Sequence, residues 1–290
     1  MKLIRHISLG FLLAYSMAVF ANSQVITIGV LSHRGDNNAI KVWSPLAVYL
    51  SKQLSPLQFK IIPLKFNEIA SIVAAERIDF LLVNPSIYVN MEVKYRVSRI
   101  VTLKKIENDE TLLNLFGGVA FTLAKRKDIN IYQDLVKKKF VAVDKTSLGG
   151  FQMVWRELSQ LGINPWKDFS LLDFAGTHDS VVISVLHGKY DAGTVRTGIL
   201  EKMAQEGKIN LDDFKIISAR KDPFFPLKHS THLYPEWPFS KLQHTANSLA
   251  QKVALALMTM PDNHYQHSDI DYAGWTVPLD YQDVRELFKE

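Results

Sequence analysis

Short apolar runs alternate with stretches of helical period along most of this chain. Gln24–Leu31, Phe59–Leu64 and Ile78–Val83 read as strands bounded by polar, Gly or Pro residues. Between them, Ala39–Leu54 gathers Trp43, Leu46, Ala47 and Leu50 on one face of an amphipathic helix, and Phe66–Arg77 predicts a shorter one. Phe116–Ala124 is extended, Asp128–Lys138 predicts a helix, and Phe140–Val143 is a buried strand feeding a helix that starts at Phe151. A strand over Phe169–Phe174, a helix over Asp179–His187 and a turn and strand over Gly188–Val195 follow. Phe214–Ser218 leads back out. Asp222–Pro226 and Tyr234–Pro238 hold too much proline for regular structure and read as rigid loops. A long amphipathic helix over Ser240–Met260 and a short one over Tyr281–Lys289 complete the chain.

Strands alternating with helices predict an α/β fold with a mostly parallel sheet, and in such sheets ligands sit beyond the carboxyl ends of the strands. The polar segments Ser32–Asn38 and Asn84–Tyr88 fall at such ends. Segments 117–123 and 214–220 bracket a middle lobe, so residues 22–117 and 221–290 are expected to form one lobe and 118–220 an inserted second. Two crossings between two lobes make a hinge with a cleft, the natural place for a ligand.

The start of the chain changes where this fold is expected to work. Lys2, Arg5 and His6 precede an apolar stretch over Ile7–Phe20, and Val19-Phe20-Ala21 supplies small residues before a cut. Residues 1–21 therefore read as a secretory signal peptide cleaved after Ala21, giving a periplasmic protein. Formal charge is +5, or +3 once Lys2 and Arg5 leave, which suits an anionic small ligand better than nucleic acid. The chain has no cysteine, which excludes disulfides, thiolate chemistry and a lipid-modified cysteine.

Candidate chemistry concentrates in three turns of the middle lobe. In the first, a strand runs into Thr146, Ser147, Leu148, Gly149 and Gly150 before a helix; hydroxyls, close backbone approach and first-turn N–H groups together make an anion site. Gly176–His178 and Thr194–Thr197 are the other two, bringing Thr177, His178, Thr194 and Arg196 to the same edge. Arg196 offers two parallel hydrogen bonds to an oxyanion, or else a salt bridge with Asp179 or Asp191. His178 is either an oxyanion donor or a capping residue. Across the cleft, Ser86 offers a hydroxyl, and Tyr88 either a ligand contact or a packed ring. Zinc, nucleophile-elbow and phosphate-loop motifs are absent from the sequence, so neither catalysis nor a cofactor is expected. The pairs His229/His232 and His264/His267 have helical spacing but lie in Pro-rich or polar stretches, a weak basis for a metal site.

Four stretches taken together carry a resemblance: Asn84–Tyr88, Ser147–Glu157, Gly176–Asp179 with Asp191–Thr197, and Ser230–Pro238. Over its mature length the chain resembles the phosphate/phosphonate-type periplasmic solute-binding family, and within it the sensor domains of tetrathionate- and thiosulfate-responsive histidine kinases. The resemblance implies a Venus-flytrap fold that closes on a small oxyanion for an ABC transporter or a sensor kinase. Phosphonate binders of the family are expected to use acidic residues as acceptors for a protonated oxygen. Here the matched turns hold Ser, Thr, Gly and Arg, with Asp179 the one acid beside them. That tilts the expected ligand toward a fully ionised sulfur oxyanion. In the sensor kinases a membrane span and a kinase domain would follow the segment 275–290; here the expected membrane partner is a transporter or a histidine kinase, the alternative being that the chain is itself the ligand-sensing domain of such a kinase.

Overall fold

The computed structural model describes residues 24–107, 111–261 and 272–287; the expected signal peptide and the pair His264/His267 lie outside these residues. Two sheets, each with its own apolar core, make two lobes. In the first sheet the order is Tyr272–Thr276, Ser98–Glu107, Pro238–Lys241, Phe80–Leu82, Val25–Leu31, Gln58–Leu64, with Thr111–Leu113 also paired to Ser98–Glu107. Val25–Leu31 runs parallel to both of its neighbours, and its own alternate residues Ile26, Ile28 and Val30 are fully buried. The helix Asp36–Gln53 packs on this sheet through Trp43, Leu46, Ala47 and Leu50.

In the second sheet the order is Phe214–Ile216, Gly118–Leu123, Ala192–Arg196, Lys139–Ala142, Leu171–Phe174. The last three are mutually parallel, while Gly118–Leu123 is antiparallel to both of its neighbours. Two apolar clusters flank this sheet. Val181, Val182 and Val185 of the helix His178–Leu186 lie in one; Phe151, Val154 and Leu158, beside the Met153–Gln160 helix, lie in the other.

The return crossing differs from expectation. Phe214–Ile216 stays in the second sheet as an edge strand, and Ser230 remains tied to it through its N–H to Gly118 O (2.8 Å) and its Oγ, which accepts from Ala120 N (3.0 Å). The chain comes back along Tyr234–Pro235, antiparallel to the outgoing Leu115–Phe116, and enters the first sheet at Pro238–Lys241. Proline ends no sheet here, because Pro238 opens its strand, the position where a missing N–H costs least. The expected helix over Ser240–Met260 accordingly splits into the strand Pro238–Lys241 and a helix over Asn247–Met258. Phe239 and Ser240 are buried between two neighbouring strands and show no strand alternation to read. Arg220–Asp222 and the proline-bearing Phe225–His229 likewise pair as a hairpin. The helix expected over Asp128–Lys138 is one tight turn, Tyr132–Leu135. Asp134 closes it by accepting from the N–H groups of Asn130 (2.8 Å) and Ile131 (3.0 Å).

Candidate functional site

The site grows from two helix starts that meet across the lobes. Asn84 caps the helix Pro85–Tyr95 by accepting from Ile87 N (3.1 Å), and its Nδ2 donates to Thr146 O (3.2 Å) in the opposite lobe. There the chain makes a π-type turn over Leu148–Gln152 before the Met153–Gln160 helix. Gln152 N donates to Ser147 O (3.1 Å), so the amides of Leu148, Gly149 and Gly150 precede the first closing bond. Leu148 anchors the turn in the first lobe's apolar core. The two glycines are needed for packing. A Cβ on Gly149 would stand 2.8 Å from Arg196 Cβ and 2.9 Å from the Phe116 ring, and one on Gly150 would stand 2.5 Å from a Val143 methyl.

Arg196 lies at the centre, engaged by a partner other than the two anticipated. Its Nη2 donates to Glu236 Oε1 (2.5 Å), with the two side chains 5% and 1% exposed. Its guanidinium carbon sits 4.4 Å from the centre of the Phe116 ring and 5.9 Å from that of Trp237. Asp179 pairs instead with Arg34, and Asp191 with Arg126. Glu236 is fully engaged: Oε2 accepts from Trp237 N (3.2 Å), and its carbonyl accepts from the Tyr281 hydroxyl (2.7 Å).

His178 opens its helix with its N–H on His33 O across the lobes (3.0 Å). Its Nδ1 accepts from Arg196 N (3.4 Å), and its ring meets that of His33 edge-on at 5.5 Å. Burial, with the charges of His33, Arg196, Arg34 and Lys105, holds this imidazole well below its ordinary range. It is neutral at physiological pH, and since Nδ1 accepts, Nε2 carries the proton.

The remaining predicted residues divide. Ser86 is fully buried at its helix start, and Ser147 is 3% exposed beside the facing turn. Tyr88 is a core ring of the first lobe, tilted against Tyr281 at 5.5 Å between ring centres, with its hydroxyl donated to Glu92 and accepting from Arg99 (3.3 Å). Thr146 spends its hydroxyl on Asp144 (2.7 Å), and Thr177 caps the His178–Leu186 helix by accepting from Ser180 N (3.2 Å). Thr194 is buried inside its strand, on the face that carries Arg196.

A cavity of about 790 Å³ opens between the lobes beside this cluster. Its inner end is Arg196, Glu236 and Trp237; Lys41 and Lys105 line it from the first lobe, Lys202 and Lys208 from the second. Arg34 bridges the two, donating through Nε to Asp179 (2.6 Å) and through Nη2 to Glu206 (2.7 Å), while Lys208 reaches the same two carboxylates. Arg34 and Lys208 hold Glu206 down at about 2. Burial raises Asp179, but the bonds and charges of Arg34 and Lys208 outweigh it and leave it below the usual range. Five buried atoms around the cluster have no partner among the described residues: Ser86 Oγ, Gln152 Oε1, Thr194 Oγ1, Arg196 Nε and Trp237 Nε1. Glu236 and Trp237, central here, stand in the sequence within a proline-rich stretch that carries the family resemblance, but nothing there marks them as site residues. Their pairing depends on contacts forty residues apart.

The family model for ABC transporter, phosphonate, periplasmic substrate-binding protein matches residues 28–282. The tetrathionate sensor histidine kinase TtrS of Salmonella typhimurium (strain LT2) is 30% identical over 265 residues, covering 91% of this chain and 43% of that protein. The chain thus spans less than half the length of that curated relative. PhnD1 of Prochlorococcus marinus (MIT 9301), solved with methylphosphonate, superposes with a TM-score of 0.73 at 16% identity, covering 92% of this chain and 97% of that one. A binding protein component of an ABC phosphonate transporter from Pseudomonas aeruginosa gives 0.76 at 15% identity, covering 92% and 86%. These structures share the two-lobed α/β fold of periplasmic binding proteins.

Proposed function

Because the chain belongs to the ABC-transporter phosphonate periplasmic substrate-binding protein family, we propose that it captures a sulfur oxyanion, tetrathionate foremost, between its lobes in the periplasm. Its membrane partner in this reading is a sensor kinase, on the strength of the identity to the tetrathionate sensor. The ligand is bound without chemistry. The observation that carries the reading is the set of buried atoms without partners where the lobes meet. Arg196 Nε and Trp237 Nε1 can only donate, and Ser86 Oγ is free to donate.

An ionised sulfur oxyanion carries no proton and needs donors alone. A singly ionised phosphonate carries one and needs an acceptor. Of the acceptors at the cluster, Glu236 is committed to Arg196 and Trp237 and Asp144 to Thr146; Gln152 Oε1 in the turn and the Glu201 carboxylate on the cavity wall are the ones a protonated oxygen would have to find. Ser147, the first-turn amides of Gly149 and Gly150, and neutral His178 complete the donor set, with Ser86 reaching from the first lobe. Thermal-shift and calorimetric titrations with tetrathionate, thiosulfate, sulfate, phosphate and methylphosphonate test this. Tetrathionate is expected to stabilise most, by about 2.7 kcal/mol at one hundred times its dissociation constant. A larger shift from phosphate or methylphosphonate would overturn the sulfur assignment, and no shift from any of the five would overturn anion capture.

A further inference from the structure

Glu236 has a consequence for which anions the cleft accepts, resting on the oxyanion reading above. The guanidinium of Arg196 reaches the inner end of the cavity with its charge already balanced by a carboxylate that is 1% exposed. That end is therefore rich in donors but electrically neutral. A compact dianion such as sulfate or thiosulfate would bring two negative charges close to Glu236. The sulfonate head of a longer anion brings one, and sets its second charge farther out. The cavity suits the longer shape, for its volume of about 790 Å³ exceeds the needs of a compact oxyanion, and Lys41, Lys105 and Lys202 also line it. Like charges in a water-poor site repel far more than in solution, so a fixed carboxylate discriminates by what it rejects.

We infer that Glu236 is a specificity-determining residue, which restricts the inner end of the cleft to singly charged heads and so selects extended, two-ended anions over compact dianions. The test titrates parent and Glu236→Gln with tetrathionate, 1,2-ethanedisulfonate, thiosulfate and sulfate. With no cysteine in the chain, tetrathionate has no thiol to oxidise. The parent is expected to bind the first two at least tenfold more tightly than the compact pair. Glu236→Gln is expected to shrink that ratio at least tenfold by gaining affinity for thiosulfate and sulfate. The double variant Arg196→Gln/Glu236→Gln, neutral again, should restore the preference even at lower affinity.

If the parent binds tetrathionate and the ratio is the same in folded Glu236→Gln, the inference is overturned while the capture reading stands. A parent that binds none of the four overturns both. Should Glu236→Gln not fold, Arg196→Gln reads the same balance from the other side: affinity for thiosulfate must fall more than affinity for tetrathionate, and an equal fall overturns the inference.

Discussion

Trp237 and Ser86 are the side chains whose removal isolates a single donor. Trp237→Phe keeps the ring and deletes an N–H, and Ser86→Ala deletes a hydroxyl; both atoms are buried without a partner among the described residues. A hydrogen bond to a charged group contributes about 1.5–3 kcal/mol, so calorimetry on either variant should show tetrathionate affinity reduced by roughly ten- to a hundredfold. Tyr88→Phe makes the opposite case. Its hydroxyl serves Glu92 and Arg99 inside the first lobe, so anion affinity should stay at the parent value while urea unfolding reports a loss of about 0.5–1.5 kcal/mol. Reduced anion affinity in Tyr88→Phe would put the ring back in the site. Sequence could mark Tyr88 and Trp237 as aromatic rings with a polar tip, but which tip lacks a partner is decided by the fold: Glu92, one helical turn on, and Arg99 satisfy Tyr88, while Trp237 Nε1 faces the lobe contact.

Among the elements, the Ser147–Gln152 turn was legible in sequence as a strand followed by hydroxyls, a Gly pair and a helix. The π-type start was not, because it depends on contacts with Phe116, Val143 and Arg196. Those contacts give a prediction: Gly149→Ala has no room and should cost about 1–3 kcal/mol through overpacking, read as a lowered Tm with the fold retained. The His178–Leu186 helix gives another, in pH. The folded imidazole is held well below its ordinary value of 6.5, so below that pH the unfolded chain binds a proton that the folded one refuses. Stability is full above about pH 6.5 and declines as pH falls, by up to about 1.4 kcal/mol per unit. Urea midpoints from pH 7.5 to 5.5 should follow this slope, and His178→Gln should flatten it. The strand Pro238–Lys241 escaped sequence reading for the reason that hides most central strands: burial on both faces removes the alternation, and its prolines point to a loop.

The whole molecule is two cores and a seam, and the two cores were the legible part, since strand–helix alternation repeats in each. The seam was not, because Arg34, Asp179, Glu206 and Lys208 are unremarkable charges until the fold stacks one lobe on the other. Arg34 is 6% exposed and Asp179 and Glu206 about a quarter, so this is no freely solvated surface pair. Glu206 and Asp179 are both held below the ordinary carboxylate range, so the stabilisation they confer is present above about pH 4.5 and lost as pH falls toward about 2. The difference in urea stability between parent and Arg34→Gln should accordingly shrink between pH 5 and pH 3. The seam also bears on time. For the lobes to part, one guanidinium must leave two carboxylates together, and in the reading proposed above a captured anion leaves with that parting. Arg34 therefore governs how long the anion stays more than how fast it arrives. Stopped-flow tryptophan fluorescence on Arg34→Gln should show dissociation at least tenfold faster with the association rate little changed, which makes the lifetime of the bound state, and with it the duration of any message handed to the membrane, a property of four charges that tie one lobe to the other.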